Sequence, residues 1–226
     1  MSTHDGLGLI KILDVRITYN EIHRTIRSTA TKIRDEFGPD IMIAIGGGGF
    51  FPARVLRTFL KTPCRKNIPI QAIGLSLYEE LGTALTNGLP STEQKVGKEV
   101  VRTQWLDFST LGHTPLLGRR ILIVDEVDDT RTTLSYAVAE LEKDVKAQLE
   151  KLSEDERKKL DPTEFAIFVV HNKDKPKSAQ IPDHVKYFAG KTIGDQWVDY
   201  PWEATDIDEH ERLANSSSEQ LTEVLV

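Results

Sequence analysis

The sequence predicts an α/β protein built on a mostly parallel, twisted sheet flanked by helices. Three observations carry that expectation. Short apolar runs at 41–45 (IMIAI), 121–124 (ILIV) and 164–170 (EFAIFVV) read as strands buried on both faces. Segments with helical spacing lie between such runs. Glycine and proline punctuate the joins, at Gly38-Pro39, at GGGG (46–49) and at Gly118. Alternation of strand and helix is the pattern of parallel sheets.

Taken in order, the first 14 residues show little pattern. Between Ile17 and Phe37 the apolar positions Ile22, Ile26, Ala30, Ile33 and Phe37 fall on one helix face, and Gly38-Pro39 ends the helix. IMIAI is the next strand. Four glycines turn the chain into a helix carrying Ala53, Leu56 and Leu60. Residues 68–77 (IPIQAIGLSL) predict a strand. Residues 80–98 carry glycines, a proline and many polar groups, and predict a mobile loop. VVRTQWLDF (100–108) reads as a returning strand. RRILIVDEV (119–127) reads as a buried one. A helix is expected from about Thr132, with Leu134, Val138, Leu141 and Val145 on one face, running on into the charged, solvated stretch 142–160. EFAIFVVHN (164–172) and VKYFAGKTI (185–193) are further strands. The polar tail, residues 208–226, is expected to fray. Neither an internal repeat nor a linker is visible, so residues 1–226 read as one domain.

The bulk numbers exclude some classes. A net charge of −6 argues against a nucleic-acid surface, which needs a basic face, but leaves room for a local phosphate pocket. The single cysteine, Cys64, rules out an internal disulfide and fits a reducing compartment. The N-terminus lacks the basic start and apolar run of a signal peptide. No stretch approaches the roughly 20 apolar residues that span a bilayer. A cytoplasmic protein with no membrane partner is the expectation.

The chemistry concentrates in ILIVDEVDDTRTTL (121–134). A buried strand runs into Asp125, Glu126, Asp128 and Asp129, and then into a hydroxyl-rich turn, Thr130 to Thr133. A solvated turn with an acid-capped helix explains one Asp-Thr pair. It does not explain four crowded carboxylates, which repel one another. The loop offers two complementary halves. Carboxylates can accept bonds from sugar hydroxyls or hold a hydrated Mg²⁺. The start of the following helix has free amides, a positive dipole end and, at Thr130, a residue suited to capping; it can cradle a phosphate. IGGGGF adds a second backbone-lined anion site at Gly46, Gly47 and Gly48. It matches neither a Walker loop nor the dinucleotide fingerprint. Ligands of parallel sheets bind at the carboxyl ends of strands, so both loops are expected to share one crevice. A sugar with phosphate at both ends fits that pair.

ILIVDEVDDTRTTL resembles the phosphoribosyl-pyrophosphate motif of type I phosphoribosyltransferases. The blocks IMIAIGGGGFFPAR, LSLYEELG, RTQWLDF and DQWVDYPWEATDI are similar to the fungal hypoxanthine-guanine members of that family. The resemblance covers roughly residues 18–210. It implies a type I fold with a small hood and base-binding subdomain, and transfer of 5-phosphoribosyl to N9 of hypoxanthine or guanine with Mg²⁺. In that reading Asp125 and Glu126 hold the ribose hydroxyls, directly or through the metal. Asp129 is the catalytic proton acceptor near purine N7. Thr130, Arg131, Thr132 and Thr133 form the 5′-phosphate cradle. Gly46, Gly47 and Gly48 form the pyrophosphate loop, where such families often hold a non-proline cis peptide. Segment 80–98 is the hood. Trp197 stacks on the purine, the Val198 main chain meets its Watson–Crick edge, and Asp199 meets a 2-amino group. Glu203 is a further metal ligand. Lys173 best matches the lysine that bonds the 6-oxo group, with His171 and Lys175 as neighbours able to compete for the role. A homodimer is the expected assembly.

The family commonly has glycine where this chain has Arg131. Arginine has no special freedom at positive φ, and the sequence leaves open whether its guanidinium reaches phosphate or solvent. Asp128 receives no role and is expected to be a solvated turn residue. Two other readings stand beside the first. One is a xanthine-preferring enzyme of the same family. Asp199, an acceptor, suits the donor on guanine rather than the acceptor on xanthine. The other is a non-catalytic nucleotide-sensing regulator, against which the intact Asp129 speaks.

Overall fold

The computed structural model of the chain describes residues 15–62, 67–79, 98–107 and 116–223, without the side chains of 77–79, 98–99 and 217–223. These residues form a sheet of six strands in the order β4-β3-β2-β5-β6-β7, with helices on both faces, and a two-stranded sheet of β1 and β8. The strands are β1 (Val15–Arg16), β2 (Ile41–Gly46), β3 (Ile70–Glu79), β4 (Lys98–Gln104), β5 (Arg120–Asp128), β6 (Glu164–Lys173), β7 (Lys186–Ile193) and β8 (Val198–Asp199). All neighbours in the large sheet are parallel except β3 and β4.

Helix α1 (Tyr19–Glu36) begins at a capping box. The Thr18 side chain accepts from Glu21 N–H while the Glu21 carboxylate accepts from Thr18 N–H. It ends where Gly38, at φ 60°, donates its N–H to Ile33. Helix α2 (Phe50–Leu60) follows the glycine turn. Both helices pack on one face of the sheet with Met42, Ala44, Leu122, Val124 and Phe168. Helix α3 (Thr132–Glu150) covers the other face, against Ile41, Ile43, Ile45, Ile121 and Ile123. Strand alternation thus sends successive residues of β2 into two separate cores, which is why the run is apolar throughout. Arg120 at the start of β5 braces the same end. It pairs with Asp40 at 3.1 Å and donates to the Phe37 carbonyl at 3.1 Å.

Two expectations change. The helix beginning at Thr132 stops at Glu150, and a separate short helix α4 (Glu154–Arg157) starts at its own capping box on Ser153. The stretch 142–160 is largely exposed, as its charge suggests, and is tied down at two points: Asp144 accepts from Trp105 Nε1 at 2.6 Å and Glu142 meets His184 at 2.7 Å. The C-terminal segment is a helix, α5 (Ile207–Glu223), rather than a frayed tail. Its buried His210 donates to the Ile17 carbonyl at 3.1 Å, and Ala214 is buried with it. The predicted hood lies outside the described residues apart from Lys98. Among the described residues no helix is long and apolar enough to cross a membrane.

Candidate active site

The strand order reverses between β2 and β5. From β2 the chain moves outward to β3, and from β5 it moves the opposite way to β6. A crevice opens at such a switch point, beyond the strands' carboxyl ends. The glycine loop follows β2 and the acidic loop follows β5, so the two meet there. Their contact is close. A Cβ on Gly48 would run into the Glu126 carboxylate, and one on Gly49 into the carbonyls of Ile45 and Val124. The peptide between Gly46 and Gly47 is cis, as the resemblance implied.

A cavity of about 340 Å³ fills this crevice, lined by Gly46, Leu75, the loop from Asp125 to Arg131, and Thr133. A second, of about 180 Å³, is lined by Glu126, Asp129, Lys173, Trp197, Val198 and Glu203. Glu126, Val127 and Asp129 border both, so the cavities adjoin.

Three carboxylates around the two cavities are poorly compensated. Asp125 is buried, and burial followed by the charge of Glu126 pushes its carboxyl well above the usual range. Glu203, across the second cavity, is raised by burial and then by Glu126. Glu126 Oε2 is buried with no hydrogen-bond partner. Such a set suits a hard cation. The described residues bring no three carboxylate, His or Cys side chains together as a metal cage. Asp125, Glu126 and Glu203 are therefore not one three-ligand site. Mg²⁺ is the ion this arrangement fits, since it commonly takes one or two carboxylates and completes its octahedron with water and substrate phosphate.

The other half of the loop presents donors. The residue before α3 is Arg131, in the left-handed region at φ 70°, and no side chain caps the helix. The expected cap by Thr130 is absent; its hydroxyl pairs with that of Thr132 at 3.0 Å. The first-turn amides of α3 are thus left to a ligand, and the dipole there favours an anion.

Asp129 stands between two lysines, 2.8 Å from Lys175 and 3.5 Å from Lys173. Burial would raise its carboxyl, but the Lys175 bond and the Lys173 charge outweigh it and hold the group below the usual range. Lys175 also pairs with Asp195 at 2.8 Å. Lys173 Nζ lies 5.9 Å from the Trp197 ring. That indole is 62% exposed, which suits a platform for a flat ligand better than a core residue. Strand β1 takes the carbonyls of Trp197 and Asp199, so by strand alternation the Val198 N–H and C=O point away from β1. The Asp199 carboxylate is turned to Arg16, 3.5 Å away, and does not line the second cavity.

Sequence reasoning missed the supports behind these groups. Tyr200 donates to the Glu126 carbonyl at 3.1 Å and contacts His171 Nδ1 at 2.8 Å. His171 is 1% exposed and belongs to this support, not to the cavity wall. Asp128 is not solvated: it is fully buried and paired with Arg131 at 2.9 Å. No sequence signal marks the pairings of Tyr200, because its partners lie on different elements, and none marks the burial of Asp128, which distant segments impose.

No family model matches the chain. Curated relatives do. A hypoxanthine-guanine phosphoribosyltransferase of Schizosaccharomyces pombe is 57% identical over 197 residues, covering 86% of this chain and 91% of that protein. Xanthine phosphoribosyltransferase 1 of Saccharomyces cerevisiae is 52% identical over 211 residues, covering 88% and 94%. Among solved structures, a hypothetical protein of Neisseria gonorrhoeae with bound ppGpp superposes with a TM-score of 0.68 at 38% identity, covering 91% of this chain and 98% of that one.

Proposed function

The chain belongs to the family of hypoxanthine-guanine and xanthine phosphoribosyltransferases, and on that premise we propose that it transfers 5-phosphoribosyl from phosphoribosyl pyrophosphate to N9 of hypoxanthine or guanine. The products are IMP or GMP and pyrophosphate, a step of purine salvage. The observation that carries this reading is the pair of adjoining cavities. One is walled by the acidic and hydroxyl-bearing loop after β5, the other is bordered by an indole, and Glu126, Val127 and Asp129 lie between them.

In this reading the α3 amides and the hydroxyls of Thr130, Thr132 and Thr133 hold the 5′-phosphate. The Gly46–Gly48 backbone receives the pyrophosphate. Asp125 and Glu126 orient the ribose diol. Mg²⁺, when bound by Glu126 with Asp125 or Glu203, would neutralise charge on the departing pyrophosphate. As the C1′–O bond breaks, positive charge develops on the ribose, and the carboxylates beside it stabilise that charge electrostatically. The purine lies on Trp197 with its 6-oxo group at Lys173, a donor-only group that rejects the 6-amino of adenine. Val198 meets the Watson–Crick edge through its main chain. Asp129 takes the proton from the purine once Lys175 yields to the ligand. Both orientation and proton acceptance come from residues already gathered at one strand junction.

The test is an assay of hypoxanthine, guanine, xanthine and adenine, each with the sugar donor and Mg²⁺. Turnover of the first two, none with adenine, and loss on chelation of the metal are expected. Turnover of none would sink the reading. A second reading is preference for xanthine, supported by the 52% identity to Xanthine phosphoribosyltransferase 1 of Saccharomyces cerevisiae. Strong preference for xanthine in the same assay would establish it. The bound ppGpp of the Neisseria structure supports a guanine nucleotide site on this framework. We propose that the protein is cytoplasmic and a homodimer; the exposed aromatic side chains of Tyr19, Phe50 and Phe51 on α1 and α2 support the dimer. Light scattering in solution tests the assembly.

A further inference from the structure

Beneath the phosphate cradle lies a charge cluster that none of these roles uses. Asp128 ends β5 with no exposure to solvent. Its Oδ2 accepts from Arg131 Nε at 2.9 Å and from the Tyr187 hydroxyl at 2.7 Å. The Arg131 guanidinium also lies over the Tyr187 ring, 5.0 Å from its centroid. On the far side, Lys177 Nζ stands 3.5 Å from Asp128 Oδ1. The same ammonium donates to three main-chain carbonyls, of Asp128 at 2.8 Å, Asp129 at 3.0 Å and Lys173 at 2.8 Å. One cation therefore ties the acidic loop to the end of β6.

Arg131 is the one non-glycine residue at positive φ among the described residues. A residue bearing a Cβ persists in that region only when its surroundings hold it there. Here the holder is Asp128, three residues back, itself too buried to remain charged without partners. The two features explain each other. The turn needs a left-handed residue, and Arg131 supplies both the turn and the cation that Asp128 requires.

We infer that Arg131 and Lys177 are positioning residues, clamped on Asp128 so that the Thr130–Thr133 turn is already shaped to receive the sugar phosphate. The inference rests on the assignment of that turn to phosphate made above. A preformed turn spends no binding energy on ordering itself, so affinity for the donor depends on the clamp. The Arg131 side chain acts inward, on Asp128, while its backbone completes the cradle. Purine affinity depends on the clamp only through Lys177, which alone reaches Lys173.

The experiment compares KM for phosphoribosyl pyrophosphate, KM for the purine, and kcat in the full chain and its variants. R131G suits the left-handed turn but lacks the clamp. Its donor KM is expected to rise about tenfold, the gain forfeited with one charged hydrogen bond, while purine KM stays within roughly twofold. A merely structural role would lower the folded fraction and leave both KM values unmoved. D128N removes the charge on the other side of the same contact, so R131G/D128N should be no worse than the weaker single variant. If the guanidinium instead touches phosphate directly, the two effects multiply, and that result overturns the inference. Should D128N fail to fold, Y187F removes one bond to Asp128 and is expected to raise donor KM by a few-fold. K177M should raise both KM values, with K177R restoring them. Turnover in the unmodified chain with donor KM unmoved in R131G and Y187F overturns this inference alone. Absence of turnover in the unmodified chain overturns the functional reading and this inference with it.

Discussion

Single side chains in this site owe their state to one or two neighbours. Asp129 is the clearest case, because Lys175 and Lys173 keep its carboxyl below the ordinary range and so charged throughout neutral pH. An Asp129→Asn substitution removes the proton acceptor without changing shape. Turnover is expected to fall by about 10²- to 10⁴-fold with donor KM little altered, as steady-state kinetics would read. Unchanged turnover would remove Asp129 from the reaction. His171 gives a prediction on stability. Tyr200 gives its proton to the Glu126 carbonyl, so His171 Nδ1 carries the hydrogen and donates to the Tyr200 oxygen. Burial, and then the charge of Lys191, hold the imidazole at about 4 against an ordinary 6.5. Between those values the unfolded chain binds a proton that the folded chain does not. Stability is therefore complete above the upper value and falls as pH drops toward the lower. The loss is roughly 3 kcal/mol at most, from the energy of a pKa unit. Denaturant melts at pH 7 and pH 5 should show it, and in a His171→Asn chain the pH dependence should flatten.

Elements meet their neighbours at distances that leave no room for extra atoms. The turn from β2 to α2 shows this at two adjacent glycines. At Gly49 a methyl group would meet the carbonyls of Ile45 and Val124, both fixed in strands that cannot withdraw. At Gly48 it would meet the Glu126 side chain. The two substitutions should separate. Gly49→Ala is expected to cost about 1–3 kcal/mol of stability, the usual penalty for overpacking, measured as a shift in the denaturant midpoint. Gly48→Ala should leave stability nearly intact but displace Glu126 and lower turnover. Equal effects on stability would show that Glu126 is as rigid as the strands. The glycines were visible in the sequence as a turn. That they share a crevice with the acidic loop was expected from their place at the strands' carboxyl ends; the direct approach of Gly48 to Glu126 was not, because it follows from the pairing of β2 with β5 some 80 residues apart. The end of α3 was misread for a related reason. Charged residues continue past Glu150 without a break in pattern, and only the capping box at Ser153 restarts the helix.

At the scale of the molecule, the reversal of strand order between β2 and β5 turns two loops into one site. The adjoining cavities predict that a ligand spanning both stabilises the fold. A purine 5′-nucleotide at 100 times its Kd should add about 2.7 kcal/mol by mass action, seen as a rise in the thermal midpoint. Ribose 5-phosphate, which fills only the first cavity, should give a smaller rise at equal concentration. Trp197→Ala should reduce the nucleotide's effect and leave that of ribose 5-phosphate unchanged. Equal responses to both ligands would mean that the second cavity is not part of the site.

The sequence by itself determined the α/β class, the buried strands, the glycine and acidic loops and the order in which they occur. These depend on local apolar period and on turn chemistry, which neighbouring residues settle among themselves. Only the tertiary structure decided what Asp128 and Arg131 do. Tyr187 and Lys177 reach them from the chain that follows β6, and a buried charge is stable only where such partners converge. It likewise turned the Asp199 carboxylate to Arg16, through the pairing of β1 with β8 across the length of the chain. Residue types and spacing bear on backbone conformation; the partner of a buried charge is fixed by packing between distant segments.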